Sequence, residues 1–293
     1  MIAGKPQHQK VTFLAAVLLA VVTGGCLTPP AFEGTGGTEQ PVIVLSAAGD
    51  ASPAAREAYA GIGRRCHARF PANDIRWAFA SEAAVTELNR QGLPCQTPRE
   101  TAKTLAAKGY KAVAWQSLYV MPGEGMSLLA ALGFSGMAVT GGAALLDSDR
   151  DYYRVIEAIA PHIVPGIPNL LVFHGETSRG GTNREIIILA GMLKKLHPEI
   201  IVATWAGRPG SDAPLALARQ RAQQAGAVHI LPMMLAPHRV FNDDVLGDRP
   251  TSWKNRLGAV RVTCAPPLGG DPRIQAIYLQ HLEEALHNLE ENE

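Results

Sequence analysis

This 293-residue chain has no surplus of charge of either sign: 27 basic residues stand against 26 acidic ones, and 18% of the chain is charged. Lys5 and Lys10 lie in an N-terminal stretch expected to be removed, so 27 less 2 leaves 25 basic residues against 26 acidic. A surface that neutralises phosphates non-specifically needs an excess of Lys and Arg, so the charge balance argues against a non-specific nucleic-acid surface, and no nucleic-acid partner is expected. No glycine-rich phosphate loop, zinc-finger spacing or RNA-binding aromatic motif is present either. Cysteine is scarce, with four residues at 26, 66, 95 and 264. The three beyond Cys26 cannot all pair internally and fit no metal-finger spacing; a Cys66–Cys95 bridge and buried free thiols are both open. The N-terminal apolar stretch from Val11 to Val22 is too short to cross a bilayer.

That stretch is informative in another way. Lys5 and Lys10 precede it, and the small residues Thr23-Gly24-Gly25 follow it, ending at Cys26. A basic start, a short apolar centre and a small-residue cut site make a secretory signal over residues 1–25. A cysteine directly after the cut resembles a lipoprotein processing site, with Cys26 as the lipidated residue. Thr23 replaces the usual aliphatic residue, and ordinary cleavage nearby is the alternative. Both imply export, to the periplasm or to a membrane-anchored lipoprotein facing it, with the membrane engaged only through the lipid. Residues 26–40 read as a flexible tether.

Hydrophobic content of 47% is ordinary for a globular α/β protein. From residue 41, strand-length apolar runs alternate with helical stretches. Strands are expected at 41–46, 74–80, 110–121, around 136–140, then 169–174, 200–205, 228–235 and 260–264. Helices are expected at 54–70, 97–108, 149–160, 183–197, 215–224 and 271–289, with a helical turn at 252–257. Repeated strand–helix alternation indicates parallel sheets covered on both faces. The pattern restarts after the Pro161 to Pro168 connector. The fold class expected is therefore α/β, two Rossmann-like lobes at 41–164 and 165–293 with a cleft between them, the last helix closing the second lobe.

Two histidines stand out. His174 ends the run Leu171-Val172-Phe173, and His238 follows Leu231-Pro232-Met233-Met234-Leu235-Ala236-Pro237. Each stands where a buried parallel strand opens into a loop, the position of the ligand crevice in open α/β sheets. Two imidazoles delivered there can grip one metal ion or share one proton-transfer task.

Five stretches in order carry a family resemblance: Trp115-Gln116-Ser117-Leu118-Tyr119-Val120-Met121-Pro122-Gly123-Glu124, Phe173-His174-Gly175, Leu231 to Leu235 with His238 to Asp243, Thr251-Ser252-Trp253-Lys254, and Pro267 to Pro272. Together, over about 41–288, they resemble the anaerobic sirohydrochlorin cobaltochelatases, relatives of the class II ferrochelatases. The resemblance implies ATP-independent insertion of Co(II), or Fe(II), into sirohydrochlorin or a related tetrapyrrole, with no nucleotide. It places His174 and His238 on the family's metal-binding, catalytic histidines. Departures are equally plain. Tyr119 stands where the family has histidine, Glu124 is followed by Gly125 instead of a second acid, Ala206 replaces a glutamate ligand, and Ala236-Pro237 precedes His238. Glu176 is a candidate for the missing oxygen ligand. Tyr119, Glu124 and Arg239 are candidate substrate contacts, and Arg179, Arg184 and Arg208 also lie near the expected cleft loops, where guanidinium groups suit a many-carboxylate ring. Asn242 and Asp243 are expected to shape the loop beneath His238. The alternative reading is a non-catalytic exported protein, derived from a chelatase, that carries haem, another tetrapyrrole or a metal ion. A third is an interaction lipoprotein without a ligand. Self-association into a homo-oligomer is left open.

Overall fold

A computed structural model describes residues 40–123, 132, 134, 136–177, 181–236, 238–258 and 260–291. The first lobe runs β1 (Val42–Ala47), α1 (Pro53–Arg69), β2 (Ile75–Phe79), α2 (Glu82–Arg90), α3 (Pro98–Ala107), β3 (Ala112–Ser117), β4 (Ala138–Gly142) and α4 (Asp149–Ile159). The second runs β5 (Asn169–Gly175), α5 (Arg184–Leu196), β6 (Ile200–Ala206), α6 (Asp212–Ala225), β7 (Ala227–Pro232), α7 (Trp253–Arg256) and β8 (Arg261–Cys264), and α8 (Pro272–Glu290) ends the chain. Helix starts follow their local signals. Ser52 accepts the Ala55 N–H with Pro53 opening α1, and reciprocal capping boxes form at Thr97/Glu100 and Ser148/Asp151. The short α2, capped by Ser81, has no counterpart in the sequence reading.

Both sheets are four-stranded and parallel, in the orders β2-β1-β3-β4 and β6-β5-β7-β8. Each lobe thus repeats one winding: the second strand is laid on one side of the first, the third on the other. Alternate residues of each strand serve different layers, as a period of two requires. Ile43, Leu45, Leu171, Phe173, Leu231 and Met233 enter one apolar core that runs through both lobes. Leu170, Val172, Val228 and Ile230 face the outer side of the second sheet, and Val42 and Val44 the outer side of the first.

One assignment is corrected by the contacts. The closing helix, placed by sequence order with the second lobe, packs on β3, β4 and α4 of the first. Ile274, Ile277, Tyr278, Leu282, Ala285 and Leu289 form its buried stripe. Arg69 pairs with Glu283, Arg154 bonds Gln280, and the buried His281 meets Asp151. The chain therefore crosses between lobes twice, at 163–168 and at 265–271. The two crossings are fastened together: Asp271 faces His162, and Arg273 donates to the Glu157 and Ala158 carbonyls. No Cys66–Cys95 bridge forms; both thiols are free and buried, pushed up to about 12 and about 11 by desolvation. Among the described residues no helix is long and apolar enough to cross a membrane.

Candidate functional site

In each sheet the winding reverses between the first and third strands, β1/β3 and β5/β7, and the loops leaving those strands diverge there. All four loops meet in one cavity of about 300 Å³. The first lobe contributes Ala47 to Asp50 after β1 and Leu118 to Met121 after β3, with Tyr59 from α1. The second contributes Phe173 to Glu176 at the end of β5, and Met233 to Ala236 with His238 after β7. The walls are mainly apolar, and no lysine or arginine lines the cavity among the described residues.

His174 and His238 come together here, their ring centroids 5.2 Å apart and nearly perpendicular at 76°. Their hydrogen bonds assign different tautomers. His174 Nδ1 lies 2.7 Å from the Gly175 carbonyl oxygen, which can only accept, so Nδ1 carries the proton and Nε2 keeps a lone pair. His238 Nδ1 instead accepts the Phe241 N–H at 3.4 Å, so neutral His238 carries its proton on Nε2. That Nε2 is buried and has no partner among the described residues. A buried polar atom without a partner is costly, and a ligand in the cavity would satisfy it. To bind a metal through Nε2, His238 must move its proton to Nδ1 and release the long Phe241 contact; His174 needs no such change. Desolvation holds the His238 pKa below its usual value, the neighbouring His174 adds to this, and the Asp50 carboxylate opposes it.

The backbone around His174 is tightly specified. Gly175 has φ +71°, and a Cβ there would lie 2.0 Å from the Ala206 carbonyl oxygen. Asn183, buried and itself left-handed at φ 46°, accepts the Glu176 N–H and donates to the Ala206 and Arg208 carbonyls. One side chain thus ties the loop after β5 to the loop after β6. In the first lobe the buried Tyr278 hydroxyl of α8 reaches the Leu118 and Tyr119 carbonyls at 3.3 and 3.2 Å, steadying the β3 loop.

The other sequence candidates separate. Tyr119 and Glu176 line the cavity, and Glu176 is half-buried beside His174. Glu124, Arg179 and Cys26 lie outside the described residues. Arg239 does not reach the cavity: its side chain is 82% exposed and its guanidinium pairs with Asp243 one helical turn on. Arg184 and Arg208 are exposed and also stand off the cavity wall. The Asn242 N–H donates to the His238 carbonyl, closing the turn under that histidine. Ala206 ends β6 level with Gly175, and its methyl supplies no ligand. Among the described residues no three His, Cys, Asp or Glu side chains are arranged to hold a metal ion.

Sequence reasoning missed three residues at this site. Asp50 and Tyr59 line the cavity, and Trp205, 45% exposed, packs on His174 with ring centroids 5.4 Å apart. Asp50 was findable in principle, since it follows the first strand of its lobe as His174 follows the first of the other. Tyr59 and Trp205 carry no local signal.

Two parallel α/β lobes with facing switch points and a histidine-lined cleft between them define the chelatase class of protein. The cobalt chelatase (CbiK) family model matches residues 42–287, and the chain belongs to that family. It is 28% identical over 264 residues to the sirohydrochlorin cobaltochelatase CbiKC of Nitratidesulfovibrio vulgaris, covering 85% of this chain and 92% of that protein. It is 28% identical over 230 residues to the sirohydrochlorin cobaltochelatase of Salmonella typhimurium, covering 74% and 85%. Among solved structures, SirB from Bacillus subtilis with Fe3+ superposes with a TM-score of 0.60 at 14% identity, covering 86% of this chain and 97% of SirB. The cobalt complex of SirB from Bacillus subtilis subspecies spizizenii gives a TM-score of 0.58 at 15% identity, covering 85% and 96%. At these identities the two structures speak for the fold alone.

Proposed function

We propose that this protein is a metal chelatase that inserts Co(II), or Fe(II), into sirohydrochlorin or a closely related tetrapyrrole, without a nucleotide. The observation that carries the reading is the histidine pair at the joint switch point. One imidazole presents a lone pair, the other a buried nitrogen with no partner among the described residues, and both face a cavity walled by the two lobes. A neutral imidazole is both a ligand for such metals and a base near neutral pH. The names of the two cobaltochelatase relatives support the same chemistry.

In this reading the flat ring enters between the lobes and the metal ion is held on the second-lobe side by His174 Nε2, with His238 and Glu176 at hand. A cavity of about 300 Å³ stands at the small end of ligand pockets, so the carboxylate rim of the ring extends into solvent and asks little of the wall. That fits the absence of arginine and lysine from the described lining residues. We further propose that residues 1–25 direct export, with Cys26 as the lipid anchor; fractionation and mass spectrometry of the mature N-terminus test that separately.

A second reading has its own support. Ala206 leaves two imidazoles where a third ligand is expected, which weakens metal affinity and favours a carrier of a tetrapyrrole or metal over an enzyme. One assay separates the two: purified protein with sirohydrochlorin and Co(II), followed by absorption. Multiple turnovers that vanish in His174→Ala support the chelatase. A stoichiometric spectral shift without turnover supports the carrier, and an unchanged spectrum refutes both.

A further inference from the structure

Metal insertion poses a problem that the histidines alone do not solve. The reaction takes in one divalent ion and releases two protons; two pyrrole N–H bonds break, each electron pair stays on its nitrogen, and nothing is oxidised or reduced. His174 Nε2 has one lone pair, so it cannot hold the metal and accept a proton at the same moment. Geometry adds a second constraint. A pyrrole nitrogen that meets a metal on one face of the ring carries its hydrogen toward the other. With the metal on the second-lobe side, the departing protons point at the first lobe.

We propose that Asp50 is a catalytic residue of this protein: the proton acceptor on the wall opposite the histidines. The inference rests on the chelatase reading above and goes beyond it by dividing the work between the lobes. Of the cavity-lining residues contributed by the first lobe, Asp50 is the only carboxylate among those described. The other protic groups there are phenols, and a phenol stays protonated near neutral pH; burial raises the Tyr59 pKa further, with the Asp50 charge adding to the rise. Asp50 is held from two sides. Its Oδ1 accepts the Ser52 N–H at 2.8 Å, and its own N–H donates to the Tyr59 hydroxyl at 3.0 Å. Its Oδ2 has no partner among the described residues. The carboxylate is half-buried, and its charge is felt by His238 across the cavity. Partial exposure matters chemically, because the acceptor must release each proton to water before the next arrives. The first pyrrole proton moves to Asp50 and then to solvent, the freed nitrogen binds the metal, and the second proton follows the same path.

Asp50→Asn tests this, because an amide oxygen keeps the Ser52 contact but does not accept the proton. Loss of a general base lowers kcat by roughly 10²–10⁴-fold. The expected result is a loss of that size with unchanged KM for sirohydrochlorin and unchanged Co(II) affinity measured without the ring. Asp50→Glu, or added formate with the Asn variant, is expected to restore part of the rate. A fall in Co(II) affinity that parallels the fall in kcat makes Asp50 a metal ligand and overturns the proposal. So does a kcat within twofold of the parent while His174→Ala abolishes turnover, a result that leaves the chelatase reading standing. A parent protein that never turns over removes both.

Discussion

Replacing Gly175 by alanine is expected to damage both the fold and the site, and a second glycine separates the causes. Gly175 and Gly226 share nearly the same backbone, φ +71° and φ +69°. A side chain in the left-handed region costs roughly 1–2 kcal/mol at either position. Around Gly226 nothing lies within 4 Å of an added Cβ, whereas at Gly175 the Ala206 carbonyl oxygen lies 2.0 Å away and belongs to the backbone. Relieving that overlap moves β5 away from the loop after β6, at a further cost of about 1–3 kcal/mol by analogy with overpacked cores. Gly175→Ala is therefore expected to be less stable than Gly226→Ala by about 1–3 kcal/mol, a gap of several degrees in Tm at roughly 2–4 °C per kcal/mol. Urea unfolding of both variants, with matched slopes, measures the difference directly. Co(II) affinity should fall only in Gly175→Ala, because His174 is its neighbour and takes its tautomer from the Gly175 carbonyl. Equal midpoints for the two variants would refute the steric argument.

Asn183→Asp keeps a residue tolerant of the left-handed region and keeps the acceptor for Glu176, but it removes both donors and sets an anion against the Ala206 and Arg208 carbonyls. A loss of about 1–3 kcal/mol in urea unfolding is expected, with weakened Co(II) binding; unchanged stability would show that Asn183 does not hold the two loops. Burial raises the Asp271 pKa, but hydrogen bonds from Arg273 and His162 outweigh it and hold the group at about 2, below its ordinary 3.8. A carboxylate depressed on folding stabilises above its unfolded pKa, so stability should fall as pH drops from about 4 through about 2. Arg273→Gln should flatten that decline, which urea midpoints across the range will show. His238, held low by burial and by His174, is expected to titrate below 6.5 in an NMR experiment and to move upward in His174→Ala. Because the unfolded chain then binds that proton more readily, its contribution to stability is lost as pH falls below 6.5.

Much of this fold was legible in the chain. The strand-length run ending at His174, the run from Val228 (which leaves the sheet at Pro232, short of the expected Leu235), the restart after Pro168 and the capping signals at Ser52, Thr97 and Ser148 are local, and a local signal survives any tertiary arrangement. The histidine pair was legible for the same reason, since parallel strands carry their ligands at their carboxyl ends. Arg239 was read as a cleft residue from its position beside His238. One helical turn, with Asp243 as partner, points it into solvent instead. The short α2 escaped because nine residues with three buried positions give too few repeats to establish a period.

The chain alone determines that two similar parallel units form and that two strand-length runs of the second open into histidine loops. These follow from periodicity, capping and residue identity, which act between near neighbours. Only the tertiary structure decides that the two histidines meet 5.2 Å apart as opposite tautomers, and that α8 returns to the first lobe to steady the Tyr119 loop. It alone sets Asp50 across the cavity from His238. An amphipathic helix records that it has a face to bury, not which sheet will bury it. A carboxylate at the end of one strand likewise has no sequence relation to an imidazole at the end of another until both sheets close on the same cleft.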